Sequence, residues 1–144
     1  MDVTLREVTA GTVRAVCDLT VGPGQDGLVA PNAVSIAQAH FEPKAWFRAI
    51  NAGDDPVGFV MLFDDAPECF LWRLMVDHRH QGRGYGRRAL DLVVEHLRQR
   101  PGVTALLTSY VPDPAGPEQF YKRYGFVDTG EVDGGEVVCR LALG

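Results

Sequence analysis

The chain is expected to fold as a layered α/β domain, α+β in arrangement, whose mixed and largely antiparallel central sheet carries helices on both faces. Three observations predict this. Phe70 to Arg98 reads as a strand, a glycine-rich loop and a helix. The strand-like stretches before it are joined by short polar turns, as in an antiparallel meander. After it, Val103 to Tyr110 is almost continuously apolar, as a strand covered on both faces would be. Strand, helix and such a strand make a right-handed crossover with the two strands parallel.

Each element has its own signal. Val3 to Val8 alternates as a first strand. Thr9 or Thr12 can cap a helix over Val13 to Leu19, which Gly22-Pro23-Gly24 ends. Asn32 is a good cap for a second helix, in which Ala33, Ile36, Ala37, His40 and Phe41 share a face, with His40 read as a partly buried helix residue. Lys44 to Asn51 and Val57 to Phe63 are strands joined by the turn Gly53-Asp54-Asp55-Pro56. A second turn, Asp64 to Pro67, leads to the strand that ends at Val76. Asp77 to Gly82 has no apolar residue and reads as a loop. From Gly84 the period turns helical. Gly86, Ala89, Leu90, Val93 and Leu97 fall on one face, and Arg87, Arg88, Asp91, Glu95 and Arg98 on the other. Pro114 or Pro117 can start a short helix over Glu118 to Tyr124, with Gly125 at its C-terminal left-handed position. Phe126 to Val132 and Glu136 to Leu143 close the chain as a hairpin turning at Asp133-Gly134-Gly135.

At 144 residues the chain is expected to be one domain, 1–144, with a real hydrophobic core. Its 46% apolar and 23% charged residues are ordinary globular composition. No apolar run approaches the roughly 20 residues that cross a bilayer, and the first residues lack the pattern of a signal peptide. Three cysteines, Cys17, Cys69 and Cys139, form no CxxC pair. A cytoplasmic setting is therefore the expectation, with no membrane partner. A net charge of −5 disfavours nucleic acid and suits a cationic small substrate. A homodimer is compatible with all of this.

The glycine loop carries the chemistry. A loop that opens a helix presents bare N–H groups and about half a positive charge, which together bind anions. Gly82, Gly84 and Gly86 leave room for a phosphate. The spacing is not the dinucleotide fingerprint, and no Gly-Lys-Ser/Thr follows as in a Walker loop. An ordinary tight strand-to-helix connection has the same outline. The order Gln81-x-x-Gly84-x-Gly86, however, resembles the acetyl-CoA pyrophosphate loop of the GNAT superfamily of N-acetyltransferases. Phe120-Tyr121-Lys122-Arg123-Tyr124-Gly125-Phe126 is similar to the C-terminal helix of that family, ending in Tyr-x-x-x-Gly-Phe. The order of elements resembles the GNAT fold from end to end. Leu28 to Asn32, Ser35 to Ala39, Arg73 to Asp77, Ser109-Tyr110 and Thr129 to Glu131 are similar to bacterial spermine/spermidine acetyltransferases. Two positions depart from those relatives. Val111 stands where an acidic residue commonly follows Ser-Tyr, and Pro114 where an asparagine often meets the pantetheine arm.

The resemblance implies an acetyl-CoA-dependent N-acetyltransferase acting on a small cationic primary amine, polyamines being the favoured class. An aminoglycoside-like, amino-acid or protein N-terminal amine is the enzymatic alternative. A non-catalytic acyl-CoA-binding module is the alternative of another class. The resemblance assigns the cofactor to backbone at Leu74, Met75 and Val76 and to Gln81, Gly82, Arg83, Gly84, Tyr85, Gly86 and Arg87. A strand edge left unpaired can take the pantetheine arm as an extra strand, and an N–H near Val76 can serve an oxyanion. Arg87 can instead pair with Asp91 on the helix surface. Tyr121 is the expected general acid, since a phenol with a pKa near ~10 stays protonated at neutral pH. The alkylammonium must lose a proton before it attacks. Glu42, Asp65, Glu68 and Asp77 are the candidate acceptors, and the residues do not select among them. Trp72 can pack in the sheet or line an acceptor pocket. Asp77-His78-Arg79-His80 has no recognised ligand spacing, so no metal is expected.

Overall fold

Successive residues of the central strands point to opposite faces, and both faces of those strands are covered. A computed structural model describes residues 2–22 and 29–144. Its elements run β1 (Val3–Arg6), α1 (Val13–Cys17), α2 (Asn32–His40), β2 (Ala45–Ala52), β3 (Asp55–Phe63), β4 (Glu68–Val76), α3 (Tyr85–Arg98), β5 (Ala105–Tyr110), α4 (Glu118–Tyr124), β6 (Val127–Asp133) and β7 (Glu136–Ala142). They form one sheet in the order β1-β2-β3-β4-β5-β7-β6. The β4–β5 pair is parallel and the other ladders are antiparallel, as the meander, crossover and closing hairpin require.

Alternation along the central strands builds two cores. Ile50, Val60, Leu62 and Leu71 pack on one side against Ala89, Leu90, Val93 and Leu97 of α3. Ala49, Phe59, Met61 and Met75 pack on the other side with Val16 and Leu19, at and just after α1, and with Ile36 and Ala39 of α2. The spacing of the α3 residues is the helical stripe that the sequence shows, and each is fully buried.

Several local expectations need correction. The first strand stops at Arg6, and α1 stops at Cys17. Pro31, not Asn32, holds the capping position of α2. Asn32 is buried inside the first turn, and its Nδ2 donates to the Val16 carbonyl at 2.9 Å, tying α2 to α1. The buried stripe of α2 is Asn32, Ser35, Ile36 and Ala39, at helical spacing. His40, Ala33 and Ala37 are therefore exposed, and Phe41 is 82% exposed. Two polar residues on the buried stripe made hydropathy a poor guide there. Asp77 to Gly82 is not wholly irregular, because His78–His80 forms a 3₁₀ turn capped by the Asp77 side chain. Pro23 and Gly24 of the expected helix-ending turn, and Leu28 of the family-like stretch, lie outside the described residues.

Two irregularities of β4 shape the molecule. Its register with β3 passes from Met61 opposite Arg73 to Leu62 opposite Leu71, leaving Trp72 as the extra residue of a bulge. Its ladder with β5 consists of Glu68–Ala105, Cys69–Leu106 and Phe70–Leu107, and goes no further. Beyond those pairs β4 follows β3 up to Val76, and β5 follows β7 up to Tyr110. The two strands part, and Thr108 Oγ1 donating to the Leu71 carbonyl at 3.0 Å is the bond at the fork.

Candidate active site

The parting of β4 and β5 opens a cavity of about 950 Å³. Leu74, Met75 and Val76 line it from the free edge of β4. The backbone there has lost its sheet partner, so it offers hydrogen bonds to an extended chain laid into the cleft. The glycine loop closes one end. Gln81, Gly82, Gly84, Tyr85, Gly86 and Arg87 line the cavity, and Gln81 Nε2 donates to the Val76 carbonyl at 3.1 Å.

The glycines of the loop serve different ends. Gly84 caps α3 with φ +80°, a left-handed conformation that side chains rarely adopt, and a Cβ there would meet nothing within 4 Å. Gly86 has an ordinary helical backbone, but its Cβ would sit 3.4 Å from Phe120 Cζ. It lets α4 pack closely on the start of α3. Arg87 is exposed and stacks its guanidinium 5.6 Å from the Tyr124 ring centre. The alternative Arg87–Asp91 pairing is not formed among the described residues, since Asp91 accepts the Tyr124 hydroxyl at 2.7 Å. Arg83 is exposed and is not among the residues lining the cavity, unlike the rest of the expected loop.

Tyr121 lines the same cavity from α4 and is only 5% exposed. Its ring packs between Phe120 and Phe126, with centroids at 5.5 and 5.3 Å. Burial pushes its phenol well above the usual tyrosine range, and its hydroxyl lies beside the Thr108 side chain at the fork. It is therefore a protonated donor at any physiological pH.

Successive residues of β5 face opposite sides, so Ser109 looks away from Thr108. On that far side Ser109 Oγ donates to Glu136 Oε1 at 3.0 Å. Asp133 and Glu136, at the two ends of the β6–β7 turn, are the carboxylates that line the cavity among the described residues. Trp72 and Arg73 line it from the bulge of β4. Val111, one of the two departures, also lines it without a charge, and Glu136 brings a carboxylate to that neighbourhood from another strand.

None of the four carboxylates singled out from the sequence lines this cavity. Asp77 is fully buried. Burial opposes its ionisation, but bonds from Arg79 Nε (2.8 Å), Thr20 N (2.9 Å) and Arg79 N (3.0 Å) prevail and hold its pKa at about 2. It is a structural carboxylate that locks the exit of β4. Asp65 takes the Ala66 N–H and the Lys44 ammonium, which lower its pKa, in the β3–β4 turn. Glu68 pairs with Arg140 at 3.3 Å, and Glu42 accepts the Lys44 N–H. Nothing local marks Asp133 and Glu136 in the sequence, because only the pairing of β7 with β5 brings them to the cavity. The signal was the position of the last turn, which that pairing sets beside Ser109-Tyr110.

An acyl carrier with a long extended arm and a polyanionic head fits this cleft: an open strand edge for the arm, a glycine-capped helix start for the phosphates. Coenzyme A thioesters are carriers of that shape. The chain belongs to the acetyltransferase (GNAT) family, whose pattern matches residues 15–126. It is accordingly an N-acetyltransferase with acetyl-CoA as cosubstrate. It is 27% identical to the spermine/spermidine N(1)-acetyltransferase of Bacillus subtilis, over 92% of this chain and 93% of that one. A shorter match, 30% identical, covers 51% of this chain and 42% of an L-2,4-diaminobutyric acid acetyltransferase of Streptomyces avermitilis. The fold is shared with the PaiA N-acetyltransferase of Thermoplasma acidophilum in complex with coenzyme A, at TM-score 0.74 and 16% identity, covering 99% of each chain.

Proposed function

We propose that the protein, as a single domain over 1–144, acetylates a primary amine of a small cationic acceptor, with polyamines the favoured class. One observation carries this reading. A single cavity joins the parted strands, with Tyr121 beside the fork, to a far side that holds Asp133 and Glu136. Acetyl-CoA supplies the activated acyl group. Leu74 to Val76 and the loop from Gln81 to Arg87 hold it, with Arg83 acting only from outside the cavity wall. An alkylammonium has a pKa near ~10.4, so it must give up a proton to react. Glu136, steadied by Ser109, receives that proton directly or through water. Tyr121 returns one to the departing thiolate. The likeness to a spermine/spermidine acetyltransferase along nearly the whole chain supports a polyamine acceptor. An amino-acid amine is the second reading, favoured by the guanidinium of Arg73 at the acceptor side. Three free cysteines support a reducing cytoplasm as its setting.

The direct test is release of coenzyme A from acetyl-CoA with a panel of amines: spermine, spermidine, putrescine, basic amino acids and an aminoglycoside. Turnover of a small aliphatic amine is expected. Binding of acetyl-CoA with no turnover of any of these would refute the acceptor class.

A further inference from the structure

Among the described residues Arg73 is a cation with no ion pair within contact distance, on the acceptor side of the cavity. It follows Trp72, the extra residue of the β4 bulge, and its guanidinium lies 5.5 Å from the Trp72 ring centre. Nη1 donates to the Trp72 carbonyl at 2.9 Å, and Nη2 donates to Gln38 Oε1 at 3.1 Å. Both acceptors are neutral. Its Nε is buried and has no hydrogen-bond partner. Among the described residues it forms no ion pair. Glu136 is near enough to favour its charge, while burial disfavours it. A guanidinium has five N–H donors in a rigid fork and does not deprotonate in a protein. Half-removed from water, with neutral acceptors and only the more distant Glu136 to balance it, the charge is costly to keep. Gln38, reaching across from α2, aims this fork instead of neutralising it. The phosphates of the cofactor have their own donors at the glycine loop, so Arg73 is free of that duty.

We infer that Arg73 anchors a carboxylate of the acceptor, which makes the preferred substrate a diamino acid. This rests on the small-amine reading of the same cavity and moves its favoured acceptor from a polyamine to the amino-acid amine of the second reading. A diamino monocarboxylic acid still carries a net positive charge. Its carboxylate meets the Arg73 fork, and its amines meet Asp133, Glu136 and the fork of β4 and β5. A plain polyamine satisfies the two carboxylates but brings a further positive charge toward Arg73. The carboxylate thus decides between two otherwise similar chains.

Matched pairs isolate that group: ornithine against putrescine, and lysine against cadaverine, each differing by one carboxylate. A charge-assisted bidentate contact predicts that kcat/KM favours the amino acid by about 10- to 100-fold. Lysinamide, which keeps both amines and loses the negative charge, should drop to the level of cadaverine with the unaltered enzyme. Arg73→Gln should bring the ratio within each pair to about one, and Arg73→Lys should restore part of it, having the charge but not the fork. Turnover of putrescine without preference for ornithine, lysinamide as good as lysine, or a preference that survives Arg73→Gln overturns the anchor alone. No turnover of either member of both pairs, with acetyl-CoA still bound, overturns the anchor and the small-amine reading together.

Discussion

Replacing Tyr121 by phenylalanine removes one oxygen from the wall of the cavity and little else. The ring contacts with Phe120 and Phe126 remain. Thr108 keeps its bond to the Leu71 carbonyl, so the fork of β4 and β5 is not released. The stability cost should be about 1 kcal/mol or less, the usual net worth of one neutral hydrogen bond. The catalytic cost should be larger. A positioned acid contributes about 10²–10⁴ in rate, which is about 3–5 kcal/mol of barrier. The expected result is a kcat lower by about 10² or more, with acetyl-CoA affinity by calorimetry nearly unchanged and a melting temperature within a few degrees. Single-turnover measurement ensures that chemistry, not product release, is being observed. Burial holds the phenol above its ordinary range, so the acid form persists as pH rises. An alkaline limb below about pH 9 must therefore belong to another group. A Phe variant with full single-turnover rate would mean that the thiolate leaves without help from this residue.

Three further outcomes follow from the geometry. Gly84→Val forces a β-branched residue to φ +80° at the start of α3, so the loop should shift and acetyl-CoA affinity should fall at least tenfold by calorimetry, while unchanged affinity in a folded variant would refute the placement of the phosphates. Glu136→Gln keeps an acceptor for Ser109 Oγ but cannot take a proton, so kcat should fall about 10² or more while acetyl-CoA binding holds, and full activity would remove Glu136 from proton transfer. Asp77 has a folded pKa of about 2 against about 3.8 unfolded, so it contributes stability that is complete above about pH 5 and lost as pH falls toward 2. That contribution is at most about 2.5 kcal/mol. Melting temperature against pH should show the loss, Asp77→Asn should flatten that part of the curve, and an identical acid limb in the variant would assign it to other carboxylates.

The parts of the fold that local pattern controls were legible. The stripe Ala89, Leu90, Val93 and Leu97 reads as one face of a helix, and the turn read over Gly53 to Pro56 is present at Gly53-Asp54, although Asp55 and Pro56 already belong to β3. The glycine loop, its helix and Tyr121 stood at positions that a local motif marks. What depended on distant pairing was not legible. Glu136 reaches Ser109 because β7 inserts between β5 and β6, an order that neither strand encodes on its own. Asp77 looked like any acid in a wet loop, and its burial comes from Thr20 and Arg79 closing over it. Hydropathy misplaces the face of α2 for a related reason. Asn32 is buried because it has a partner on α1, and hydropathy does not record partners.

The three rungs between β4 and β5 also divide the proposed labour of the enzyme along the chain. The expected cofactor contacts lie between Leu74 and Arg87, on the near bank of the parting. Tyr121, Asp133 and Glu136 lie on the far bank, carried by the strands and helix that follow β5. The groups proposed to react are thus brought into register by three backbone pairs, one threonine bond and the α3 core that spans both banks. Alignment across the seam, more than the affinity of either bank for its own ligand, is what those few contacts set. A change in the packing beneath it, at Leu106 for example, should separate the proposed acid from the thioester while leaving each ligand its full set of contacts. Such a lesion would register in turnover before it registered in binding.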